Sequence, residues 1–109
     1  MKLEINKKTS VSEIQKEFSE HYPALKLEFY KQKAVDGMNT EGIMGDDNHF
    51  KKEADISISK ERTVAEFEKD FWDKTGVAAQ VFRQSGNIWL QTTRTDDWTL
   101  EQQNTQGAQ

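Results

Sequence analysis

The sequence contains no cysteine, which excludes disulfides, thiolate metal sites and thiol nucleophiles. It has a single proline, Pro23, and no apolar run approaching the ~18–20 residues of a membrane-spanning helix. Histidine is nearly as scarce: His21 and His49 are the only two, and neither stands beside a nucleophile with an evident activating partner. No serine occupies a Gly-x-Ser-x-Gly elbow, and Gly37, Gly42 and Gly45 are not followed by the lysine and helix start of a phosphate cradle. Positive charge is in deficit, with 15 Lys and Arg against 19 Asp and Glu. Basic residues gather only at Lys7-Lys8, Lys31-Gln32-Lys33 and Lys51-Lys52, so the chain lacks the clustered cations that release counterions from nucleic acid. The opening Met1-Lys2-Leu3-Glu4-Ile5-Asn6-Lys7 lacks the apolar stretch of a signal peptide, and a cytoplasmic setting is expected. A chain of 109 residues can build one core of its own, and no enzyme activity, cofactor, nucleic acid or membrane partner is expected.

What is present is a repeat. Ser10-Val11-Ser12-Glu13-Ile14-Gln15-Lys16-Glu17-Phe18 returns 53 residues later as Thr63-Val64-Ala65-Glu66-Phe67-Glu68-Lys69-Asp70-Phe71. Both copies open with a hydroxyl residue followed three places on by Glu, the reciprocal capping box of a helix N-terminus. Val11, Ile14, Phe18 and Tyr22, and then Val64, Phe67 and Phe71, recur at helical spacing, so each helix carries one apolar stripe. Glu13, Glu17, Glu66, Glu68 and Asp70 suit the positive end of the helix dipole. Pro23 and Gly76 end the two helices. Upstream, Leu3, Ile5 and Lys7 match Ile56, Ile58 and Lys60 in alternating segments, and downstream Leu25 to Phe29 and Val77 to Phe82 read as strands.

Strand, helix, strand, used twice, predicts an α+β, ferredoxin-like two-layer sandwich: a βαββαβ repeat plus a C-terminal hairpin strand, with two helices on one face of an antiparallel sheet. Right-handed crossovers predict the strand order 5-4-1-3-2. The expected layout is one domain, 1–100, with units 1–31 and 55–84, a loop 32–54, a hairpin strand 87–93 and a frayed tail 101–109.

Two surfaces stand out. A turn at Ser85-Gly86 would oppose Phe82 to Trp89, Arg83 to Ile88 and Val81 to Leu90, whereas a turn at Gly86-Asn87 mixes unlike partners, so the first register is expected. It places Val81, Ile88 and Leu90 under the helices and leaves Phe82 and Trp89 on the helix-free face, a large apolar pair for a wet surface. Trp98 and Leu100 could fold back over it, with Thr99 and Gln102 as a further capping box; a second copy or a ligand could cover it instead. The central loop is the other surface. Val35, Met38, Ile43, Met44 and Phe50 are too many sizeable apolar side chains for a wholly solvated loop, so part of it is expected to pack on the domain or on a partner.

The binding residues expected from these surfaces are Phe82, Trp89, Trp98, Met38, Ile43 and Met44, meeting a protein partner or a second copy. The alternative is a small-molecule or metal-ion site in the loop, where Asp46, Asp47 and His49 offer oxygen and imidazole ligands, with Asp96 and Asp97 as possible helpers. The loop lacks the spacing and the late bidentate Glu of a calcium hand, and a polar turn is the simpler reading. Other users of this architecture fit poorly. An RNA-recognition sheet needs aromatic and basic central strands, where Leu3-Glu4-Ile5-Asn6 and Ile56-Ser57-Ile58-Ser59 stand; a metallochaperone needs a Cys pair; an acylphosphatase-like loop needs an Arg, where Asn6-Lys7-Lys8-Thr9 stands.

Leu25-Lys26-Leu27-Glu28-Phe29, Thr63-Val64-Ala65-Glu66-Phe67, the Val81 to Asn87 hairpin and Thr95-Asp96-Asp97-Trp98-Thr99-Leu100 together resemble a family of small, uncharacterised proteins from Bacteroidetes bacteria. The resemblance implies a bacterial, cytoplasmic protein and carries over no catalytic or binding residue.

Overall fold

The computed structural model describes residues 1–31, 43–45 and 47–109. Met38 and Asp46, and Val35 with them, lie outside the described residues. The chain is α+β: β1 (Lys2–Ile5), α1 (Val11–His21), β2 (Leu25–Tyr30), β3 (Ala54–Ser57), α2 (Val64–Thr75), β4 (Ala78–Ser85), β5 (Ile88–Gln91), a 3-10 turn at Thr93–Thr95 and α3 (Leu100–Gly107).

The two helices begin as the repeat predicts, with one difference. Thr63 and Glu66 complete a reciprocal capping box on α2, whereas on α1 the Ser10 hydroxyl accepts the Glu13 N–H at 3.2 Å but Glu13 does not close the box. The stripes are buried as expected: Val11, Ile14 and Phe18 on α1, and Val64, Phe67 and Phe71 on α2. Gly76 ends α2 at φ +72, the left-handed conformation that glycine adopts at least cost. Where the stripes meet, rings stack through the centre: Phe18 on Phe67 at 5.5 Å, Phe67 on Phe71 at 5.9 Å, Phe71 on Phe29 at 5.0 Å, and Phe50 edge-on to Phe29 at 5.5 Å.

The expected single sheet of order 5-4-1-3-2 does not form. The strands divide into β1-β3 and β2-β4-β5, all neighbours antiparallel. The adjacency of β1 and β3 holds, but β2 and β4 pair with each other instead of flanking that pair. Strand length decides this: β2 matches β4 over six residue pairs, and β3 is only four residues long. Leu25, Leu27 and Phe29 then share the inner face with Ala79 and Val81.

The ladders carry the repeat in their register. Leu3 pairs with Ile56, its own counterpart 53 residues on. Because α2 is one residue longer than α1, the offset beyond the helices becomes 54, and Leu27 pairs with Val81 at that spacing. The β1–β3 and β2–β4 ladders thus each have a counterpart pair at their pivot, as two subunits related by a two-fold axis would.

Two further segments, one in each half, show a parallel of their own. Asp46-Asp47-Asn48-His49-Phe50 and Asp96-Asp97-Trp98-Thr99-Leu100 stand in the two halves, and the described parts dock in the same way on the helix starts. Val11 N–H donates to the Asn48 carbonyl at 2.8 Å, and Val64 N–H to that of Trp98 at 3.0 Å. Phe50 N–H donates to Thr9, and Leu100 N–H to Arg62, positions 53 apart. Phe50 and Leu100 are both buried, each closing one end of the core.

The expected frayed tail is helical through Gly107. The Thr99–Gln102 capping box starts α3, Gln103 is fully buried and accepts from Arg83 at 2.9 Å, and Asn104 accepts the Ala24 N–H at 2.9 Å. Gly107 is a close-approach position: a Cβ there would lie 2.9 Å from Arg83 Cγ and 3.0 Å from Ala24 Cβ. Gly107→Ala should therefore lower stability by about 1–3 kcal/mol through overpacking, read as a shift in the urea midpoint. An unchanged midpoint would mean that α3 does not sit tightly on β4.

Candidate protein-interaction surface

The hairpin does not take the expected register. Its loop is Gly86-Asn87, pairing Ser85 with Ile88, Gln84 with Trp89, Arg83 with Leu90 and Phe82 with Gln91. Turn chemistry outweighs the pairing of like side chains: tight two-residue hairpin loops need a positive φ at their first position, and Gly86 supplies it at +59. The alternative would have put Ser85 there, in a conformation that a Cβ disfavours.

The shift is by two residues, so each side chain keeps its face. Phe82 and Trp89 remain together, as diagonal neighbours, and Lys26 bridges them, its ammonium 5.5 Å from the Phe82 ring centre and 5.1 Å from that of Trp89. Such contacts contribute about 0.5–1 kcal/mol at exposed sites. The opposite face also differs from expectation. Ile88 and Leu90 do not lie under the helices; Ile88 is 58 % exposed and Leu90 38 %, with Trp89 at 39 % between them. The register carries the end of the hairpin past β2, whose ladder with β4 stops at the Leu25–Arg83 pair.

Nor does the tail cover the Phe82/Trp89 face. Arg83, on the inner side with Leu25 and Val81, stacks over the Trp98 ring at 5.5 Å and holds Gln103, so Trp98 and α3 occupy the face opposite Trp89.

The free edge of β5 follows from the alternation of the ladder. Gln84 N–H points to β2, donating to Ala24, and Val81 C=O points to β5, accepting from Thr92. Ile88 and Leu90 therefore turn their backbone groups toward β4, and Trp89 and Gln91 turn theirs outward, where no described residue bonds them. The side chain of Gln91 adds a buried Oε1 without a hydrogen-bond partner.

The loop residues are divided. Met44 is buried and joins the core, its N–H donating to Phe29 at 2.8 Å, so it is not a surface residue as expected. Ile43 is 58 % exposed beside Tyr30. Asp47 and His49 are exposed, and among the described residues no group of three His, Cys, Asp or Glu is placed to hold a metal ion. No helix among the described residues is long and apolar enough to cross a membrane.

One group escaped the sequence reading. Glu68 does not lie in solvent beside the helix start: its carboxyl accepts the Val81 N–H at 2.9 Å beneath the segment that follows β5. Burial, opposed in part by that hydrogen bond and reinforced by the charge of Asp96, raises its pKa to about 8. Its neighbour Asp70 is paired, with Arg62 at 3.1 Å and Lys74 at 3.4 Å.

No family model matches this chain, and no curated protein or solved structure does so either.

Proposed function

We propose that this chain is a non-enzymatic protein-interaction module, and that β5 with the adjoining Phe82/Trp89 face is its binding surface. One observation carries the reading. Of the large apolar side chains that are exposed among the described residues, three are consecutive, Ile88, Trp89 and Leu90, on a strand whose outer backbone groups are unbonded. Isolated exposed apolar residues are ordinary, but a contiguous group on an open edge is the arrangement that strand addition uses. An extended segment of a partner, or β5 of a second copy, would take the N–H and C=O groups of Trp89 and Gln91. Trp89 and Phe82 would supply the apolar contact. The reading treats the domain as a duplicated βαβ unit, supported by the counterpart pairs Leu3–Ile56 and Leu27–Val81, and places it in the cytoplasm of a bacterium.

Trp89→Ser should abolish association while leaving the fold intact, because the side chain is 39 % exposed. The test is absolute mass by light scattering over a wide concentration range, together with a pull-down using wild type and variant as bait. A dimer turned into a folded monomer, or a captured protein lost with the variant, supports the surface. A variant that unfolds would show that Trp89 is core, and unchanged association would move the interface elsewhere.

A further inference from the structure

A second surface, independent of β5, lies at the other side of the described loop. A cleft of about 360 Å³ opens between Met44, Asn48, His49 and Lys51 on one side and the C-terminal end of α2 on the other. Among the described residues its lining includes Lys31, Lys51 and His49 together with Met44, Gly76 and Val77, and no Asp or Glu. That is unusual on a chain of formal charge −4. The side chains of Lys31, Lys51 and His49, like those of Lys7, Lys8, Lys16, Lys52 and Lys60, make no hydrogen bond or ion pair with any described residue, whereas Lys2, Lys26, Lys69 and Lys74 are paired. Binding a negative group here would break no existing ion pair of these three.

The lining has a second quality that an ordinary patch of solvated lysines lacks. Val77, half-buried, and the edge of Met44 that is left uncovered by the core border the same cleft, so it offers apolar surface beside its cations. Hydrogen bonds tie its described backbone: Asn48 N–H donates to Gly45 at 3.1 Å, Val77 N–H to the Thr75 hydroxyl at 3.1 Å, and that hydroxyl to the Phe71 carbonyl at 2.6 Å. The C-terminal end of α2 contributes about half a negative charge, which two lysines outweigh. A cation site at Asp46, Asp47 and His49 is the lesser alternative from the sequence, beside a polar turn; the cleft that His49 lines favours the opposite sign.

We propose that this cleft binds a small organic anion, with carboxylate or phosphate oxygens on Lys31, Lys51 and His49 and an apolar portion on Met44 and Val77. Neither feature alone defines the ligand: inorganic phosphate satisfies only the cations and a neutral aromatic only the floor. The test is amide NMR titration of the full chain with phenyl phosphate, benzoate, inorganic phosphate and benzyl alcohol. Phenyl phosphate or benzoate should shift the amides of Asn48, Gly76 and Val77 saturably, and the stronger of the two identifies the head group. The better of them should bind about tenfold tighter than inorganic phosphate, and about tenfold weaker to a Lys31→Gln/Lys51→Gln double variant. A Lys7→Gln/Lys16→Gln double variant, with the same change of charge at other positions, should keep the affinity.

Three results would overturn the proposal: benzyl alcohol binding as well as the anions, equal weakening by both double variants, or shifts that grow with ionic strength without saturating. Because β5 contributes nothing to this cleft, loss of association in Trp89→Ser leaves the titration unaltered, and the two readings can fail separately.

Discussion

Phe71→Ala is expected to destabilise the protein by about 3–5 kcal/mol, and Phe18→Ala by a similar amount, because each removes a fully buried ring and leaves a cavity its rigid neighbours cannot fill. Phe71 has the more to lose. It contacts Phe29, Phe50 and Phe67 at centroid distances of 5.0, 5.8 and 5.9 Å, so its removal separates α2 from β2 and from the docked segment that follows the loop. Phe18 touches Phe67 and Tyr22, each at 5.5 Å. Urea unfolding of the two variants measures both costs. A near-neutral result at either position would mean that the matching stripes do not meet in one core.

Glu68→Gln should change how stability depends on pH. Burial holds the carboxyl up at about 8 in the folded chain, from the ordinary 4.5 of a solvated glutamate. Between those values the folded state holds a proton that the unfolded state has released, so stability falls as pH rises through that window and levels off above it. The full difference corresponds to a few kcal/mol at the alkaline end, on the order of 3–5, since each pKa unit is about 1.4 kcal/mol. Glutamine keeps an oxygen for the Val81 N–H and carries no charge near Asp96. The variant should match wild type near pH 4 and exceed it by several kcal/mol near pH 9, measured as unfolding free energy in urea across the range. Parallel curves for the two proteins would show that Glu68 ionises freely.

The helices were legible in the sequence because their signals are local. Caps, stripes and terminators sit within a few residues of one another, and the 53-residue repeat supplied two independent readings of each. The partition of the strands was not legible, because it depends on which ladder is longest once the helices have packed, and a period-two pattern carries no information about partners. The hairpin was misread through the weight given to like side chains across the pair; Gly86 at the first loop position held the better signal. The kinship of Asp46–Phe50 with Asp96–Leu100 was visible in principle, since both begin Asp-Asp and end on a large apolar residue. It falls at an offset of 50 and not 53, and only the shared docking on the helix starts at Val11 and Val64 exposes it. Glu68 gave no signal at all: between Glu66 and Asp70 it reads as one more acidic residue near a helix N-terminus.

The counterpart pairing of the ladders bears on the order in which the chain can be made. Apart from the β4–β5 hairpin, every strand-to-strand ladder among the described residues joins the first half of the chain to the second: β1 waits for residues 54–57, and β2 for residues 78–83. While the nascent chain emerges, α1 and its docked Phe50 segment can gather locally, but β1 meets its ladder partner only when about half of the chain has been made, and β2 only after about three-quarters. Two emerging chains could in that interval use each other's halves, since each ladder joins counterpart segments. Having both halves in one polypeptide supplies the partner at high local concentration and limits that exchange.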